Sequence, residues 1–280
     1  MDRITTFTNA GFTFDVRDSG PVDGDPVVLL HGFPQRATSW DKVAAHLHEA
    51  GLRTLAPDQR GYSPGARPKG RRPYRVPELV GDVVALIDRV GRPVHLVGHD
   101  WGAVVAWSLA AERPDLVRTL TAVSVPHPAA FIASMARSTQ ALKSWYMLLF
   151  NLPGVVEQVA KRKPELLEGS LRRAGMTREM VAVFRQEMVA DGALPGGLGW
   201  YRALPLTDPR LGAATVSVPT TMVWSTGDVA LGRKGAELTA DHVTGPYRLE
   251  VLEGASHWLP DEEPARLARA VLERIAEAAG

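Results

Sequence analysis

The stretch Val94, His95, Leu96, Val97, Gly98, His99, Asp100, Trp101, Gly102 joins a short apolar run to a turn with glycines two places before and two places after an aspartate. A helical run, Val104 to Leu109, comes at once after it. Glycines at those offsets let a backbone pass sharply from strand to helix and leave the middle side chain at the top of the turn, the geometry of a nucleophile elbow. Here the middle residue is Asp, not Ser. Two readings stand on this segment alone: Asp100 reacts, or it caps the following helix, where an acid is favourable.

Outward from this turn, three more continuous apolar runs, Val27 to Leu30, Leu120 to Val125 and Thr221 to Trp224, read with Val94 to Val97 as strands covered on both faces, as in a parallel sheet. Helical periods lie between them. Pro77 opens one, with Leu79, Val83, Leu86, Ile87 and Val90 on one face and Gly91 as its stop. The last begins at Asp261, Glu262 and Glu263, steps through Leu267, Val271 and Ile275, and carries Arg266, Arg269 and Arg274 later, a charge order suited to the helix dipole. Strand and helix alternate over about 26–125 and 219–278, so the expectation is an α/β protein with one doubly wound, mostly parallel sheet. Ile4 to Thr8 and Phe12 to Val16, separated by Asn9, Ala10 and Gly11, suggest an edge hairpin. Residues 128–212 lack a convincing strand. Their helical candidates, such as Met180, Phe184 and Met188 after a Thr177 cap, make them a helical cap inserted in a core of 1–127 and 213–280.

At 280 residues the chain buries enough surface to need no metal or disulfide for its core, and with no cysteine it has no thiolate chemistry. Charge is nearly balanced, 32 Lys plus Arg against 31 Asp plus Glu, a net of +1. Such a balance gives no global field for nucleic acid or an anionic membrane, so neither is expected as a partner and recognition must be local. No apolar run approaches the roughly 20 residues that cross a bilayer, and a soluble, cytoplasmic protein is the expectation. The basic run Arg67 to Arg75 reads as a solvated loop, since no aromatic stacking series accompanies it.

The order of the polar residues downstream favours a reactive Asp100. Asp228, just past Trp224, and His257, just past the run Leu249 to Leu252, both project from the ends of expected strands, where open α/β sheets place their sites. Nucleophile, acid, histidine is the chain order of the α/β-hydrolases. His95 and His127 read as structural, and His46, His48 and His242 as surface; Asp241 falls inside a helical pattern. His31, Gly32, Phe33 and Pro34 come after the strand at 27–30, a turn able to aim the Phe33 N–H at the same sheet edge; with the N–H of Trp101 it would form an oxyanion hole. Trp101, Trp145, Trp200 and Trp258 each adjoin one of the candidate functional residues, which suggests an aromatic, apolar pocket.

With HGFP at 31–34, the Asp58 to Tyr62 turn, GHDWG at 98–102, Asp228 and His257, the sequence resembles the α/β-hydrolase superfamily and, within it, epoxide hydrolases with an aspartate nucleophile. The resemblance implies the α/β-hydrolase fold, no cofactor, and a helical cap carrying two ring-opening tyrosines. Tyr146, in SWYMLLF before Pro153 and Gly154, looks like the first, and Tyr201, in Trp200, Tyr201, Arg202, like the second. The Asp58 to Gly61 turn is assigned to structure.

A carboxylate with a pKa of about 4 is already ionised at neutral pH, so Asp100 can attack a strained sp3 carbon and form an alkyl ester. Tyr146 and Tyr201 would protonate the alkoxide, and His257, oriented by Asp228, would activate the water that breaks the ester. The expected partners are a small apolar epoxide and water, with a homodimer possible. A haloalkane or haloacid dehalogenase shares the triad, but Phe33 stands where one dehalogenase group has Asn, and Val104 and Val105 stand where another has Arg. A non-catalytic small-molecule receptor on the same fold is the further alternative.

Overall fold

The computed structural model describes residues 2–207 and 214–280. Eight strands form one sheet in the order β1-β2-β4-β3-β5-β6-β7-β8. They are β1 (Thr6–Asn9), β2 (Phe12–Ser19), β3 (Pro26–Leu30), β4 (Arg53–Pro57), β5 (Val94–His99), β6 (Val117–Val123), β7 (Thr220–Ser225) and β8 (Tyr247–Leu252). β1 and β2 pair antiparallel with each other, β2 pairs antiparallel with β4, and all later pairs are parallel. The edge hairpin turns through Ala10 and Gly11, both with positive φ, the two-residue geometry whose twist matches the strands.

Helices cover both faces. α1 (Asp41–Glu49) and the C-terminal helix lie on one side; α2 (Val76–Val90) and α3 (Trp101–Glu112) lie on the other. β3 shows why a continuous apolar run is needed: Val27 and Leu29 pack with Val43, Leu47, Leu267 and Val271, while Val28 and Leu30 pack with Leu79, Val83 and Leu109. α3 is buried almost all round, packed against β3, β5, β6 and α2. Gly91, at φ 78° past the last turn of α2, ends that helix as expected.

Between β6 and β7 the described residues form seven helices and no strand: α4 (Pro128–Arg137), α5 (Gln140–Lys143), α6 (Tyr146–Asn151), α7 (Val155–Arg162), α8 (Pro164–Arg173), α9 (Arg178–Phe184) and α10 (Leu194–Ala203). Thr177 caps α9 through the Met180 N–H, and one π turn, Arg185–Ala190, continues it past Met188. The expected boundary at 212/213 lies outside the described residues. α11 (Arg233–Leu238), α12 (Leu259–Glu262) and α13 (Pro264–Ala279) complete the chain.

Three expectations need correction, and one strand, β4, lies outside the expected ones. Of the acids at 261–263 only Glu263 opens the last helix, as the N-cap residue before Pro264; Asp261 and Glu262 sit in the separate turn α12. Asp261 instead accepts from Gln35, and Glu262 from Ser256; Arg274 is buried against Thr221 rather than facing the helix end. β4 is not marked by an apolar run because its first residue is charged; Arg53 is buried by pairing with Asp18 of β2. The run at 67–75 is not merely solvated, since Arg67 is bound to the Tyr62 carbonyl and to Asp191 of the insertion. His48 and His242 are half-buried, the first bonded to Thr54 and the second stacked on His127.

Candidate active site

β5, β7 and β8 end at the same edge, and the loops beyond them carry Asp100, Asp228 and His257. Asp100 is held at φ 52°, a strained conformation for a residue with a side chain. The flanking glycines make it feasible: a Cβ on Gly98 would stand 2.3 Å from the Gly102 carbonyl oxygen, and one on Gly102 would stand 2.1 Å from that of Leu30. Asp100 makes no side-chain cap to α3, so the capping reading fails.

Its carboxylate is divided between two environments. Oδ1 accepts the Phe33 N–H at 2.8 Å. Oδ2 lies 3.5 Å from His257 Nε2. His257 Nδ1 is 2.8 Å from Asp228 Oδ2, while Asp228 Oδ1 accepts the N–H groups of Ala230 and Leu231 at 2.8 Å each. Asp100, His257 and Asp228 thus form one connected, buried line. Burial by itself would discharge the imidazole, but the Asp228 carboxylate beside it and its bonds to both aspartates outweigh that and hold it up at about 10. Burial likewise works against the Asp100 anion; His257 outweighs it, and the carboxyl stays below its ordinary value.

Tyr146, at the start of α6, and Tyr201, in α10, face Asp100 across the site, with ring centroids 6.3 Å apart. Burial and the Asp100 charge push both phenols up, so both remain protonated donors. The Trp101 indole meets the Tyr201 ring edge-on, with centroids 5.1 Å apart. A cavity of about 740 Å³ includes Phe33, Asp100, Tyr146, Tyr201 and His257 in its walls, and a second of about 360 Å³ meets Asp100, Tyr146 and Tyr201 from the α4 side. Among the described residues, no group of three or more His, Asp or Glu is placed to hold a metal ion, and no helix is long and apolar enough to cross a membrane.

Each proposed site residue therefore lies at one place. The tryptophans divide: Trp101, Trp145 and Trp258 line a cavity, whereas Trp200 does not, being fully buried against Tyr62 and bonded to the Arg60 carbonyl. The Asp58 to Gly61 turn is structural, with Asp58 bound by Arg36 and Arg60 by Asp82. Asp241 lies in an exposed turn. Two residues with no role expected from the sequence hold the His257 loop: His99 Nε2 and Ser124 Oγ both donate to the His257 carbonyl, at 2.9 and 3.2 Å. His99 belongs to the elbow motif itself; nothing in the sequence marks Ser124, which reaches this position through a positive φ at the end of β6.

A family profile described as the alpha/beta hydrolase fold matches residues 25–264. The AB hydrolase superfamily protein YfhM of Bacillus subtilis is 36% identical over 272 residues, covering 95% of each chain. Epoxide hydrolase A of Mycobacterium tuberculosis is 32% identical, covering 94% of each. The crystal structure of epoxide hydrolase A from Mycobacterium thermoresistibile superposes with a TM-score of 0.82 at 27% identity, covering 97% of both chains. The chain belongs to the α/β-hydrolase superfamily and, within it, to the epoxide hydrolase family.

Proposed function

We propose that this protein hydrolyses an epoxide to a vicinal diol through an alkyl ester on Asp100. The observation that carries the reading is the juxtaposition of a buried carboxylate, in line with an imidazole, and two protonated phenols across an apolar cavity. Oδ2 of Asp100 bonds to an epoxide carbon as the ring C–O bond breaks. Tyr146 and Tyr201 hydrogen-bond the departing oxygen. Alkylation removes the Asp100 charge, one of the influences holding the His257 proton, so that proton leaves while the alkoxide gains one. Neutral His257 then takes a proton from water, whose oxygen attacks the ester carbonyl carbon. Oδ1 becomes the oxyanion, stabilised by the Phe33 N–H that it already accepts, with the Trp101 N–H as the second donor in this reading. Collapse breaks the acyl C–O bond and transfers the proton to the diol oxygen. The Asp100 carboxyl then ionises and recharges His257.

In this reading the segment 128–212 is a lid that supplies the tyrosines. Halide release is less well served, because Tyr146 and Tyr201, which line both cavities with Asp100, are proton donors that a departing halide does not need. One turnover in oxygen-18 water with enzyme in excess tests the route: the label is expected in the Asp100 carboxylate, and label in the diol alone overturns it.

A further inference from the structure

The mouth of the larger cavity is apolar on the outside as well as within. Leu142, Trp145, Val155, Leu166 and Val229 line it and are also exposed, Trp145 by 63%. They come from α5, the α5–α6 junction, α7, α8 and the loop after β7, so the exposed apolar surface is shared by several parts of the chain rather than marking one element. On α6 the apolar face continues outward through Leu148, 76% exposed, to Leu152 beyond its end. Those residues succeed Trp145 at helical spacing, while Tyr146, Leu149 and Phe150 point the other way, into the site. Exposed apolar clusters of this kind mark interaction surfaces.

The surrounding charge is mostly positive. Lys161, Arg162, Lys163 and Arg173 are exposed on α7, α8 and their junction, and among the described residues none is within ion-pair distance of a carboxylate. Arg173 lines the mouth itself. Of the three acids between 137 and 173, Glu157 is taken by Arg202 and Glu168 by Arg185, leaving Glu165. The overall balance of +1 conceals this local excess.

We propose that this face docks the mouth of the cavity onto an anionic lipid bilayer, so that an apolar molecule dissolved in the membrane reaches Asp100 without crossing water. Exposed Leu and Trp with a cationic rim are the chemistry of an interfacial anchor. This reverses, for the membrane, the expectation drawn from the net charge. The proposal does not depend on the reaction, because docking is measured with no epoxide present. The full chain is sedimented with vesicles of phosphatidylglycerol and phosphatidylcholine in equal parts, and with phosphatidylcholine vesicles alone.

Binding is expected on the mixed vesicles, with a blue shift of tryptophan emission that Trp145→Phe removes. A triple variant, K161Q with R162Q and K163Q, should weaken partitioning on the order of 100-fold, since each cation near such a surface contributes roughly fivefold. Leu148→Ser with Leu152→Ser, on exposed positions that do not line the cavity, should weaken it by roughly tenfold or more without unfolding the chain, as circular dichroism would verify. No sedimentation, equal sedimentation with both vesicle types, or burial of Trp145 in a concentration-dependent dimer without lipid would overturn the proposal.

Discussion

At the scale of single residues, the sharpest expectation concerns His257. His257→Gln should still be alkylated but should not deacylate: intact mass would show one substrate added per chain, and steady turnover would fall by about 10²–10⁴. Tyr201→Phe should act on the other half-reaction, slowing adduct formation by roughly 10²-fold or more while a preformed ester hydrolyses at its usual rate. Rapid-quench kinetics separate the two steps. The charge on His257 also has a stability consequence. Its pKa rises from 6.5 to about 10 on folding, so the folded form binds the proton more tightly than the unfolded one; the resulting stabilisation is complete below pH 6.5 and disappears as pH climbs toward 10. Asp100→Asn removes one of the anions responsible. Thermal unfolding between pH 6 and 10 should therefore fall less steeply with pH in that variant than in the parent, and parallel curves would contradict the charged pair.

Secondary-structure elements reveal where sequence reasoning works and where it stops. The parallel strands are legible because both faces of each are covered, which forces an uninterrupted apolar run, and the elbow is legible because its glycines have no substitute. Gly102→Ala would drive a Cβ to 2.1 Å from the Leu30 carbonyl, a backbone clash that costs about 3 kcal/mol. Differential scanning calorimetry should register a loss of roughly 6–12 °C; an unchanged melting temperature would mean that α3 can move away from β3. β4 is illegible because Arg53 is neutralised by a partner 35 positions away, a contact no local pattern encodes. Ser124 is hidden for a similar reason, as its role exists only once the end of β6 meets the loop after β8. Asp261 and Glu262 mislead because the dipole argument explains their charge without reference to Gln35 or Ser256, the groups they actually serve.

For the molecule as a whole, the insertion rests on the sheet through polar bonds as well as through its tyrosines. Arg36 reaches both Asp58 and Asp191, Arg67 joins Asp191 from the neighbouring loop, and Thr38 donates to Glu187. Asp191→Ala should release this side, raising amide hydrogen exchange over residues 178–203 while leaving β5 and α3 protected; uniform protection would show that packing alone secures the segment. On the opposite side, Gln140 of α5 gives its amide N–H to the Ala230 carbonyl and accepts the Gly232 N–H, and Lys143 binds the Asp228 carbonyl. The loop that presents Asp228 is thereby clamped to the first helices of the insertion. Anyone grafting a foreign lid onto this scaffold to widen its repertoire would sever that clamp unless positions 140–143 and 228–232 travelled together as one cassette.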